Sequence, residues 1–185
     1  MDTRKVMAAV AAVALLMATS AFATERADAG TDAPAAFLRQ LAGEWSVEAE
    51  AVPGPGMEPI RTEARMVARL VDGRWLVAES VRMVQERPVT SIRTLGYDPA
   101  GDRFVGTWID GMQSHLWLHA GTRDTDGTSL TLESEGPVLG NAAHTTRYRE
   151  VIEIDGPDRY VIRSLILGPG GEWFEFGTAD HHRTR

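Results

Sequence analysis

The sequence predicts an all-β protein: a single antiparallel up-and-down barrel of about 8–10 strands with one short N-terminal helix. Three observations carry that prediction. From Trp45 onward, runs rich in Val, Ile, Thr and aromatic residues alternate with Gly, Pro and Asp turns. The links between the runs are mostly of hairpin length, which favours neighbouring antiparallel strands over parallel crossovers. No helix-period segment follows to cover an open sheet, so closure is the available way to remove its edges.

The chain opens "MDTRKVMAAVAAVALLMATSAFATE", with Arg4 and Lys5 before an apolar run and the small-residue triplet Ala21-Phe22-Ala23 behind it. That is the plan of a secretory signal peptide over residues 1–23, cleaved after Ala23, and implies a periplasmic or secreted protein. The apolar run is shorter than the roughly 20 residues a spanning helix needs, so no stable membrane insertion is expected. Residues 24–33, "TERADAGTDA", are small and polar and read as a disordered leader. The barrel domain is expected over 34–180. In "APAAFLRQLAGEW", Pro34 suits a helix first turn, Phe37, Leu38 and Leu41 share a face, and Gly43 ends the helix.

The strands are expected at 44–51, 62–71, 74–84, 90–97, 103–110, 114–121, 129–135, 144–154, 159–167 and 172–178. Residues 181–185, "HHRTR", read as a frayed tail in which His181 and His182 bind metal adventitiously at most.

Composition excludes several chemistries. There is no Cys, so neither disulfides nor thiol chemistry are available. Lys5 is the only lysine, which removes Schiff-base catalysis from the mature domain. The net charge of −7 makes nucleic acid a poor partner, because phosphate contacts need a basic patch. The signatures of nucleophile-elbow hydrolases, phosphate-binding loops, zincins and dinucleotide folds are absent, and no cofactor is implied.

The stretch "GTWIDGMQSHLWLHAG" holds the densest chemistry. His115 and His119 would be neighbours on a helix. On a strand they lie about 13 Å apart at roughly 3.3 Å per residue, too far to share a metal ion without leaning past Trp117. The turn "DPAG" is expected to place Gly101 in the left-handed region and to pair Asp98 with Asp102, Gly96 with Phe104 and Thr94 with Gly106. For the next hairpin two registers are open, one setting Gly106 opposite Trp117 and the other Trp108 opposite Trp117. One face then carries Ile92, Phe104, Trp108, His115, Trp117 and His119. The other carries Leu95, Tyr97, Val105, Ile109, Leu116 and Leu118, with Arg93 and Arg103. The aromatic face is expected to point inward, because the arginines prefer water.

Phe104, Trp108, His115, Trp117 and His119 are therefore the candidate lining of a pocket for a small, largely apolar ligand, with Asp110 at the rim. Two alternatives stand beside this non-catalytic reading. In one, His115 or His119, oriented by Asp110, is the general base of a small-molecule hydrolase or isomerase. In the other, Leu95, Tyr97, Val105, Leu116 and Leu118 form a homodimer interface. Glu133 and Glu135, like Arg147 and Arg149, read as a solvated face.

Two resemblances add to this. "LAGEW", with Gly43 and Trp45 leading from a helix into the first strand, resembles the opening of lipocalins and other calycin barrels. "LVDGRWLVAE", "LGYDPAGDRFVGTWIDGM" and "LTLESEGP" together resemble the bacterial domain-of-unknown-function family 1579, over about residues 35–180. That resemblance implies a β-barrel-like domain and supplies no activity, cofactor or site residue.

Overall fold

The computed structural model describes residues 29–185 apart from 55, 139 and 140. The expected signal peptide and residues 24–28 of the leader lie outside the described residues. A helix, α1 (Ala29–Leu41), precedes ten strands. These are β1 (Gly43–Ala51), β2 (Ile60–Val71), β3 (Trp75–Val84), β4 (Arg87–Asp98), β5 (Arg103–Asp110), β6 (Trp117–Arg123), β7 (Ser129–Val138), β8 (Asn141–Ile154), β9 (Arg159–Leu167) and β10 (Trp173–Arg183). Every strand pairs antiparallel with its sequence neighbour, and β10 pairs with β1, so the sheet closes into a barrel. The up-and-down order follows from the short turns. Between β3 and β4 the expected loop "QERP" shrinks to Gln85 and Glu86, both with positive φ, as a two-residue hairpin of this twist requires.

Three local expectations are corrected. The helix starts at Ala29 rather than Pro34, so the end of the expected leader is helical and Pro34 lies inside the helix. Its missing N–H removes one hydrogen bond near the N-terminus, where the helix has few to lose. The tail is also ordered: β10 runs through Arg183, with Val47 opposite His181 and Ser46 opposite His182. That pairing closes the barrel and joins residues at opposite ends of the sequence.

The third correction concerns register. In the turn after β4, Asp102 rather than Gly101 takes the left-handed conformation, at φ 48°. Asp98 therefore pairs with Arg103, Tyr97 with Phe104 and Leu95 with Gly106, one residue away from the expected register. A one-residue slip exchanges the faces of a strand. Arg93 and Leu95 consequently face the lumen, and Leu95 is only 1% exposed. Ile92 faces outward opposite Ile109. Of the apolar outer face expected at a dimer interface, Leu95 and Tyr97 are thus inside, while Leu116 and Leu118 are exposed on the outside.

The core fills one end of the barrel. Phe37, Leu38 and Leu41 of α1 are buried against Trp45, Leu76, Leu95, Phe104, Leu130, Leu132 and Ile152. The Phe37 ring meets Phe104 edge-on at 5.7 Å, and Trp45 donates its indole N–H to the Leu41 carbonyl at 3.1 Å. Arg183 locks the plug in place. Its guanidinium donates to the carbonyls of Gln40 and Ala42 at the helix C-terminus and of Pro157, and lies over the Trp45 ring at 4.1 Å. A cation there satisfies carbonyls that the helix leaves unpaired and complements its dipole.

Arg183→Met keeps the packing over Trp45 but removes those hydrogen bonds. We expect it to lower stability in urea by about 2 kcal/mol, the scale of hydrogen bonds to a charged group. A change below a few tenths would show that the tail does not hold the helix.

Candidate functional site

Away from α1, the ten-stranded ring is too wide for its own side chains to fill. A cavity of about 580 Å³ remains, lined by residues of all ten strands and by Leu41 at its floor. Apolar walls come from Val47, Ala49, Ala64, Met66, Leu76, Ala78, Ile152 and Ile162. The far end of the barrel carries the loops after β1, β3, β5, β7 and β9.

An aromatic chain runs along the wall near that end. Trp108 pairs with Trp117 across β5 and β6, so the second of the two expected hairpin registers is the one formed, and their rings are 6.4 Å apart. Trp117 meets Tyr148 edge-on at 4.9 Å, and Tyr148 meets Phe176 at 6.0 Å. Space for the Trp117 indole comes from Gly136, where an added Cβ would lie 2.4 Å from the ring, and not from Gly106, which pairs with His119. A bulge between Glu175 and Gly177 lets β10 turn Phe176 toward the lumen. The Tyr148 hydroxyl donates to the Pro137 carbonyl at 2.6 Å.

Charged residues cross this apolar space in closed pairs. Arg93 on β4 reaches Glu150 on β8, which is four strands away around the ring, and makes two hydrogen bonds of 2.7 and 3.0 Å. Burial alone would push the Glu150 carboxyl up, but the charge and hydrogen bonds of Arg93 outweigh it and hold the group below the usual carboxylate range. Burial likewise opposes the charge on Arg93, and Glu150 restores it, so the guanidinium stays above its ordinary value. The second pair joins Arg82 to Asp110 at 2.6 Å, with Asp110 also accepting from the Met112 amide.

The candidate residues of the stretch 104–119 separate. Trp108, Asp110, Trp117 and His119 line the cavity. Phe104 does not, because it packs with Phe37 and Tyr97 in the plugged end. His115 precedes β6 and lies edge-on to Trp117, its Nε2 3.3 Å from the Glu135 carbonyl. His119 sits in the wall, 6% exposed, with both ring nitrogens covered and without a hydrogen-bond partner among the described residues. Its Nδ1 is 3.9 Å from Glu150, too far for a hydrogen bond. Burial lowers the His119 pKa, with Glu150 opposing. Asp110, turned to Arg82 and Met112, orients neither histidine, so the expected base-and-orienter pair is not formed.

Sequence reasoning missed Arg93, Glu150, Tyr148, Tyr160, Phe176 and His181. The even-numbered alternation Tyr148, Glu150, Ile152 on β8 was a usable signal for that strand. His181, expected in a frayed tail, is instead buried and stacked on Tyr160 at 4.0 Å, with Nδ1 3.1 Å from the Ala179 carbonyl. Burial brings its pKa down to about 4. The expected solvated face does form: Glu133 pairs with Arg147 and Arg149 across β7 and β8.

The architecture defines a closed, calycin-like barrel with a cavity plugged at one end. The chain belongs to the family described as "Protein of unknown function (DUF1579)", whose pattern it matches over residues 31–183. Comparison with curated proteins finds no match. Among solved structures, the crystal structure of Rv2717c from M. tuberculosis is similar at 17% identity, covering 82% of this chain and 98% of that one with a TM-score of 0.60. That likeness is one of fold. A redesigned beta barrel, mFAP1, bound to DFHBI, is 16% identical and covers 79% of this chain and 97% of its own, with a TM-score of 0.39.

His181 supplies a pH test. Its folded pKa lies below the ordinary 6.5, so the unfolded chain binds the proton more readily. Its contribution is fully present above pH 6.5 and is lost as pH falls toward 4. The loss amounts to about 3 kcal/mol at one pKa unit per 1.4 kcal/mol. Urea unfolding across that window is expected to show a decline that His181→Phe, which keeps a ring on Tyr160, makes clearly shallower. Equal slopes in both proteins would remove His181 as the cause.

Proposed function

We propose that this protein is exported and binds a small, largely apolar molecule inside its barrel. The observation that carries the reading is the cavity of about 580 Å³, walled by aliphatic and aromatic side chains and closed below by α1. Pockets for small ligands commonly have several hundred Å³, apolar walls and a few placed polar groups. The aromatic chain Trp108, Trp117, Tyr148 and Phe176 offers flat contact surface near the far end. Binding would bury ligand surface at about 25 cal/mol per Å². Export rests on the leader sequence, with Thr24 as the expected first residue of the mature chain.

Native mass spectrometry of the protein from its own periplasmic fraction tests both parts. The expected spectrum contains a chain beginning at Thr24 that carries a bound small molecule. Ala64→Trp, which places an indole into the lumen, is expected to lower that occupancy at least tenfold with the fold intact. A bare wild-type chain, or equal loading of the variant, would overturn the binding reading.

A further inference from the structure

The lumen holds charge without offering any of it. Two arginine side chains reach into the cavity, and each faces a carboxylate: Arg82 has Asp110 and Arg93 has Glu150. His181 is held neutral by burial at ordinary pH. A ligand carboxylate entering this space would give up its hydration and meet no unmatched cation among the described residues. An ammonium would likewise meet no unmatched carboxylate among them. Either transfer is costly when the charge stays unpaired.

Pairing does not exhaust the hydrogen-bonding capacity of Arg93 and Glu150. The guanidinium has five N–H donors, and two of them serve Glu150. Each Glu150 oxygen accepts one of those bonds and keeps lone-pair capacity. Both side chains retain some exposure, 15% for Arg93 and 19% for Glu150, and both line the cavity. A donor-rich group and an acceptor-rich group therefore meet in a cavity whose walls are largely apolar. An uncharged group that both accepts and donates, such as a hydroxyl or an amide, matches that juxtaposition without breaking the pair.

We propose that the ligand is an uncharged, largely apolar molecule whose single hydroxyl- or amide-type group is seated against the Arg93–Glu150 pair. This rests on the small-ligand reading above and narrows it to a chemical class. The pair then acts as a polar anchor that tells a neutral alcohol or amide from a hydrocarbon on one side and from an ion on the other.

Four probes with one ring system test this by titration calorimetry at pH 7.5: naphthalene, 2-naphthol, 2-naphthoate and 2-naphthylmethylammonium. The intact protein is expected to bind 2-naphthol about tenfold more tightly than naphthalene, the scale of one net hydrogen bond, and both ions more weakly than either. Glu150→Gln frees the Arg93 charge and is expected to make 2-naphthoate the preferred probe. Because an unpaired buried arginine can unfold the chain, the double variant Arg93→Met/Glu150→Met serves as a second test. It is expected to retain naphthalene binding and lose the preference for 2-naphthol. Selection of either ion by the wild type, or a naphthol preference that survives in the double variant, would overturn the anchor while leaving ligand binding in place. Failure of all four probes to bind the wild type would overturn the small-ligand reading and the anchor with it.

Discussion

The width of the ring governs this molecule. An eight-stranded barrel encloses about as much space as its own side chains fill, and diameter grows with strand number. Ten strands closed by the β1–β10 pairing enclose more. The sequence supplies enough large apolar residues to fill one end, where α1 adds Phe37, Leu38 and Leu41 to the layer. Toward the other end the inward positions turn small, with Ala49, Ala64, Ser80, Ser134 and Ser164 in the wall. The cavity is what a ten-stranded ring leaves above a helical plug, and its position follows from which end the helix occupies.

That geometry explains the unusual placement of charge. In a filled barrel a buried arginine would be expensive, and a hydrophobic pair of similar volume would serve stability as well or better. Here Arg93 and Glu150 extend from strands on opposite sides of the ring and meet by two hydrogen bonds. Each residue makes the charge of the other tolerable, as the lowered Glu150 pKa and the raised Arg93 pKa express. His119 stands beside them with its nitrogens unpartnered, an arrangement kept tolerable by the imidazole remaining neutral. Arg93, Glu150 and His119 thus form one polar cluster in a largely apolar lumen, beside the separate Arg82–Asp110 pair.

The number and order of strands were legible because most turns are written locally in Gly, Pro and Asp, the Gln85–Glu86 turn being an exception. The lumen was less legible, for two physical reasons. Side-chain direction depends on register, and the register of β4 against β5 turned on whether Gly101 or Asp102 took the left-handed conformation. Long-range partners are the other reason. Arg93 looks like a solvent-facing residue until Glu150, 57 positions away, is seen across the lumen. Likewise "HHRTR" resembles a loose tail because its partners, β1 and the end of α1, lie more than 130 residues earlier. Trp108, Trp117 and His119 were found because strand alternation alone relates them. His115 was lost because β6 begins only at Trp117.

A crystal structure of the purified protein, read at the lumen, tests the central claim most directly. The account predicts an open cavity of about 580 Å³ above the Leu41, Leu76 and Ile152 floor, with Arg93 and Glu150 joined across it. A lumen closed by inward collapse of Trp117, Tyr148 and Phe176, or an Arg93 turned out to solvent, would contradict it.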